Sequence, residues 1–199
     1  MASGAADLLW QLWNSGEVID DLPADLKPRS RTKGYEIQAE LAALSRKAIF
    51  GWKIAATSAA GQKHIGVSGP IAGRLLANRV FEDGAELAFG QNRMRVAEPE
   101  FAFRFGHSLA PQGNPYQIEE LLDAVESLHP AIEIPDSRFE NFVSAGEAQL
   151  IADNACAHEF VLGPATDTDW RSIDLASHKV HVECVGGDQY SGIGSNVLG

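Results

Sequence analysis

Apolar residues recur at helical spacing where the chain begins. Leu8, Leu9, Leu12 and Trp13 fall on one side of a predicted amphipathic helix. The stretch "DLPADLKPRSR" breaks that pattern with two prolines. Thr32 is placed to cap a second helix, "KGYEIQAELAALSRKA", whose Ile37, Leu41 and Leu44 recur at i, i+4 and i+7. The pattern then changes. "AIFGWKIAATS" (Ala48 to Ser58) is a short apolar run between turn formers and predicts a strand, and the glycine-rich "GQKHIGVSGPIAGRLLANRV" suits loops and a short helix. From Glu86 onward the texture is that of strands: "ELAF", "RMRVAEPEFAFRFG", "AIEIP", "HEFVLG" and "HKVHVECVGG". "PYQIEELLDAVESLH" interrupts them with a helical stripe of Ile118, Leu121, Leu122, Val125 and Leu128. Helices first and mixed strands later predict an α+β protein. Residues 1–80 form its mostly helical part, which includes the Lys53 strand, and residues 81–199 its β-rich core.

Composition narrows the function classes. A net charge of −11 lacks the basic footprint of a nucleic-acid binder. Two cysteines, Cys156 and Cys184, are too few for a disulfide framework and form no C-x-x-C pair, so both read as reduced structural thiols. The N-terminal run lacks a basic n-region, and nothing approaches the ~20 apolar residues of a membrane span. The expected location is the cytoplasm.

Three carboxylates and one lysine stand out. In "RMRVAEPEFAFRFG", Glu98 and Glu100 lie two residues apart, which puts both on the same strand face with Ala102 and Arg104, opposite Phe101, Phe103 and Phe105. Pro99 between them cannot donate to a ladder, so the strand is an edge or carries a bulge. Such a face is either simply solvated or holds something between its charges. Glu133, between Ile132 and Ile134 in "HPAIEIPDSR", is a glutamate in an apolar run, a position that asks for a base such as Arg138 or for a metal. Three carboxylates without histidine or cysteine beside them would make a hard oxygen site suited to Mg²⁺ or Mn²⁺. Lys53, inside the apolar "FGWKIAAT", either snorkels to the surface or faces a site as a cation able to hold a carboxylate or an enolate. The histidines carry less: His178 and His181 are expected on opposite strand faces, and His158 reads as a structural or a surface residue.

In order along the chain, "GYEIQAEL", "GWKIAATS", "HIGVSGPIAGRLL", "RMRVAEPEFAFRFG", "HPAIEIPDSRF", "IADNACAHEFVLG" and "SGIGSNVLG" together resemble the 2-keto-4-pentenoate hydratase family. That family includes 2-oxo-hept-3-ene-1,7-dioate hydratases and 4-oxalocrotonate decarboxylases, within the fumarylacetoacetate hydrolase superfamily. The resemblance implies a helical N-terminal region followed by a mixed, curled β-core of fumarylacetoacetase C-terminal type. It implies a divalent cation, Mg²⁺ or Mn²⁺, held by Glu98, Glu100 and Glu133. The family's strand lysine falls on Lys53, with a catalytic and substrate-binding role, and the glycine-rich turn assigns Ser191 and Gly192 to substrate contact. Two departures stand beside it. This chain has Ile71 where many relatives carry an acid in Pro-Asp-Phe-Gly, so it offers no acid there for proton transfer. Relatives also continue several tens of residues past the "SG-x-G-x-x-x-LG" turn, so a core incomplete at its C-terminal end is expected.

The implied activity is that of a hydro-lyase in aromatic meta-cleavage catabolism, adding water to 2-hydroxypenta-2,4-dienoate or a longer 2-keto-enoate to give a 4-hydroxy-2-oxo acid. A 4-oxalocrotonate decarboxylase using the same site is the alternative, and a non-catalytic partner subunit a third reading. A homo-oligomer, associated or not with a partner decarboxylase or hydratase, is the expected assembly.

Overall fold

A computed structural model describes residues 3–88 and 90–197. The chain opens with α1 (Gly4–Ser15) and α2 (Arg31–Leu44). Ser3 caps α1, and Leu9, Leu12 and Trp13 are buried on its inner side. Ser30, not Thr32, caps α2, because its extended backbone lets the hydroxyl accept from the Lys33 amide. Strand β1 (Ile49–Ala55) follows, then α3 (Ala59–Ile65), β2 (Ile71–Leu76) and β3 (Val80–Glu82). Strand β2 was hidden in a glycine-rich stretch; its Ile71, Leu75 and Leu76 are buried and it pairs antiparallel with β1. Residues 86–88 of "ELAF" form no strand, and Phe89 lies outside the described residues.

The second half is built on β4 (Glu98–Phe105), α4 (Ile118–Ala124), β5 (Val125–Ile134), α5 (Glu147–Ala152) and β6 (Glu159–Leu162), and ends in the hairpin β7 (Lys179–Glu183) and β8 (Gln189–Ile193). The helical stripe read through "PYQIEELLDAVESLH" stops at Ala124. Val125 and Leu128 instead belong to β5, where they are buried with Trp170, because eight register pairs to β4 outweigh the local helical period. Four strands form a mixed sheet in the order β3-β6-β5-β4, with only β3 and β6 parallel. β4 is its edge, as Pro99 requires.

The main core joins α1 and α2 to α5 and β2. Gly34 lets α2 approach α5, since a Cβ there would sit 2.6 Å from the Ala148 carbonyl. The free edge of β2 is closed by side chains. Tyr35 Oη accepts from the Ala72 amide (3.0 Å), and the buried Gln38 donates to the Ala72 and Ile151 carbonyls (both 2.9 Å). These contacts fix the small β1–β2 sheet in front of the four-stranded one, and its inner side chains, Lys53 and Ala55 opposite Gly73 and Ile71, look toward β5. No helix among the described residues is long and apolar enough to cross a membrane.

Candidate metal and substrate site

Register builds the acidic group. Glu98 pairs with Glu133 across β4 and β5, and Glu100 follows two residues later, so all three point to one sheet face. Asp136, just after β5, accepts the Arg93 and Met94 amides (3.0 and 3.3 Å) and holds the segment leading into β4 against the loop. One carboxylate oxygen from each of Glu98, Glu100 and Glu133 lies within 4.8 Å of the others. Glu98 is half-buried, Glu100 exposed and Glu133 buried.

Lys53 does not snorkel. Its side chain is 6% exposed, with Nζ 2.9 Å from Glu133 Oε1, and it donates to the Ala155 carbonyl at 3.1 Å. Arg138, the other base considered for Glu133, pairs with the buried Asp153 instead. The Lys53–Glu133 contact is an ion pair by distance but not an aligned hydrogen bond, so the buried Glu133 Oε1 has no hydrogen-bonding partner. Burial alone would lower the Lys53 value; Glu133, Cys156 and Glu98 outweigh it, and the ammonium is held charged. Glu133 is pushed up, first by burial and then by Glu98, against the pull of Lys53. Glu100 reaches the exposed rim, yet protein surrounds much of its carboxyl, and burial followed by Glu133 and Glu98 pushes it up to about 7. A bare trio is thus electrostatically unfavourable: two charges 4.8 Å apart repel by about 3.5 kcal/mol at an effective dielectric near 20. Three hard donors gathered on one face and their mutual repulsion, only partly offset by Lys53, together fit a divalent cation.

Glu98 and Glu100 open on a cleft of about 1260 Å³, with Glu133 buried behind them. Ile71, Met94, Val96 and Phe142 give it apolar walls, Lys53, Glu98 and Glu100 its charged floor, and Ser191 and Gly192 of β8 line it as well. Ile71, opposite Ala55, is 2% exposed and apolar. His178 lies before β7 and stacks edge-on against Phe101, whereas His181 is within the strand. His158 packs on Trp13, as its structural reading expects. Cys156 is buried, its thiol pushed up to about 12 by burial and by the Asp153 charge, which leaves it inert at neutral pH. Sequence reasoning missed the turn that carries Ala155; the signal in "ADNACA" is an asparagine beside a buried aspartate.

No protein-family model matches the chain. A "TodF product hydratase" of Pseudomonas putida is 32% identical over 200 residues, covering 98% of this chain and 72% of that protein. The chain belongs to the 2-keto-4-pentenoate hydratase family. A second relative in this hydratase family, a 4-oxalocrotonate decarboxylase of Pseudomonas sp, is 38% identical over 140 residues, spanning 64% of the chain and 53% of that enzyme. Among solved structures, the 4-oxalocrotonate decarboxylase of Pseudomonas putida G7, complexed with magnesium and adipate, superposes with a TM-score of 0.81 at 23% identity, over 98% of this chain and 74% of that one. The fold of this hydratase-family chain is therefore that of the decarboxylase.

Proposed function

We propose that the chain is a metal-dependent hydro-lyase that converts 2-hydroxypenta-2,4-dienoate, or a longer relative, into a 4-hydroxy-2-oxo acid. The observation that carries this reading is the cluster of Glu98, Glu100 and Glu133, beside the ion-paired Lys53 and under an apolar-walled cleft. Relatives named as hydratases and a magnesium complex of a structural neighbour support it.

Glu98, Glu100 and Glu133 would hold Mg²⁺ or Mn²⁺. Such a cation supplies Lewis-acid charge to the 2-oxo carboxylate end of the substrate. Lys53 keeps a permanent positive charge at the same end of the cleft, where it favours negative charge building on the C2 oxygen or the carboxylate. The apolar walls exclude water from the diene tail apart from the molecule that adds: the C2 enol gives up its O–H proton as one enters at C5, and water then places its OH on C4 and its proton on C3. Ser191 and Gly192 are assigned to substrate contact from the resemblance and from their place in the cleft lining. In this reading residues 1–80 supply the lysine strand and residues 81–199 the carboxylates, in a curled core of fumarylacetoacetase type, and the protein works as a homo-oligomer.

Decarboxylation of 4-oxalocrotonate is the second reading, favoured by the 38% identity to a decarboxylase. Incubation of 2-hydroxypentadienoate with protein and Mg²⁺ is expected to abolish the substrate's absorbance. No change with that substrate, together with consumption of 4-oxalocrotonate, would replace the hydratase reading with the decarboxylase one.

A further inference from the structure

Three consecutive non-glycine residues, Asn154, Ala155 and Cys156, have left-handed backbones, with φ of 56°, 50° and 61°. Side chains at alanine and cysteine make that conformation costly, so something must hold the turn. Two anchors do so. On one side Asp153, fully buried, accepts from Ser137 Oγ (2.7 Å), the Arg138 amide (3.1 Å) and Arg138 Nε, while Arg138 Nη2 donates to the Asp153 carbonyl. On the other, the Asn154 carboxamide docks on the free edge of β2 as a further strand would. Its Oδ1 accepts from the Arg74 amide at 2.7 Å, and its Nδ2 donates to the Arg74 carbonyl at 2.9 Å.

The turn presses closely on β2. A Cβ on Gly73 would lie 2.3 Å from the Asn154 carbonyl and 3.1 Å from Lys53 Cδ, so glycine makes room for the turn and the lysine stem together. Gly73 is the register partner of Lys53. The strained backbone then delivers the Ala155 carbonyl to Lys53 Nζ, the one aligned hydrogen bond shown for that ammonium. Without this acceptor, the contact left to the Lys53 ammonium among the described residues would be its ion pair with Glu133.

We infer that Asn154 is a positioning residue for Lys53: its clamp on Arg74 holds the left-handed turn whose Ala155 carbonyl aims the Lys53 ammonium across Glu133 into the cleft. The inference rests on the proposed role of Lys53 for its effect on ligand binding, but not for the placement of the ammonium.

Two readouts separate these. In metal-free protein, the Lys53 ammonium resonance, assigned by its loss in Lys53→Met, should be observable because the group is buried and bonded. It should shift or exchange-broaden in Asn154→Ala and Asn154→Gly, and partly recover in Asn154→Asp, which keeps the acceptor for the Arg74 amide. In Mn²⁺-loaded protein, Asn154→Ala should weaken 2-oxopentanoate binding by about tenfold, the scale of one charge-assisted hydrogen bond. The same substitution in a Lys53→Met background should change binding less than about twofold, because coupling vanishes when the partner is gone. Melting temperature should fall in both backgrounds. An unchanged Lys53 resonance in the Asn154 variants, or equal weakening of 2-oxopentanoate in both backgrounds, overturns the inference and leaves Asn154 a structural clamp only. If the parent protein fails to bind Mn²⁺, the metal reading falls, and the resonance still decides the placement of Lys53.

Discussion

If the acidic trio holds a divalent cation as proposed, protons and metal compete for its oxygens, and Glu100 is where that competition is measurable. Its carboxyl is pushed up from an ordinary value of 4.5 to about 7, by burial first and by Glu133 and Glu98 next. In metal-free protein the folded state therefore keeps a proton that the unfolded chain has already released. The stabilisation is complete below the ordinary value and is lost as pH rises toward 7. Each pH unit corresponds to about 1.4 kcal/mol, so a fully sheltered carboxyl would lose about 3 kcal/mol across the window. Glu100 is exposed at the rim, and screening by solvent reduces this to about 1 kcal/mol. Glu100→Gln removes the titration and leaves every other group in place. The melting temperature of the parent relative to the variant should fall by about 2–4 °C between pH 5 and pH 7.5 in EDTA. With Mn²⁺ the direction reverses, since the cation binds only the deprotonated group. Its Kd should tighten by up to about tenfold per pH unit up to pH 7 and level off above. Thermal melting in EDTA or Mn²⁺ and titration calorimetry would record both. Parallel melting profiles for parent and variant, with a Mn²⁺ Kd independent of pH, would refute the electrostatic account of the trio.

Other perturbations probe the surrounding structure. Lys53→Met strands Glu133, 2% exposed, without its cation and should cost about 3 kcal/mol by denaturant unfolding without metal; saturating Mn²⁺ should recover part of that loss, and no recovery would separate Lys53 from the metal site. Gly73→Ala drives a methyl into the Asn154 carbonyl and should cost about 1–3 kcal/mol while weakening Mn²⁺ binding, measured by melting and calorimetry. His158 is held down to about 3 by burial first and then by Arg138 and Arg79, so it stabilises the fold fully above its ordinary value and loses that stabilisation as pH falls. Between pH 6.5 and 5 the loss should be about 2 kcal/mol, and His158→Phe, which can still stack on Trp13, should flatten it in unfolding curves at those pH values.

The chain's own pattern determined a good deal. Period-two spacing put Glu98 and Glu100 on one face, a proline between them required an edge or a bulge, and an apolar run around Glu133 demanded a partner for it. Those are local consequences of strand geometry and of the cost of an unpaired buried charge, so one segment at a time suffices to read them. Ordered motifs also marked Lys53 as more than a surface lysine. Pattern failed where pairing beyond the segment decided the conformation. The helical stripe of Ile118, Leu121, Leu122, Val125 and Leu128 is real as a period, yet its last two members sit in β5 because β4 and Trp170 cover them there. Strand β2 looked like loop because its edge is closed by Tyr35, Gln38 and Asn154 rather than by another strand. The choice of Lys53 over Arg138 as the partner of Glu133, and the strained turn that presents the Ala155 carbonyl, depend on residues about 80 to 100 positions apart. No local signal encodes such a meeting; only the closed core, which brings Lys53 against Glu133 and Arg138 against Asp153, selects it.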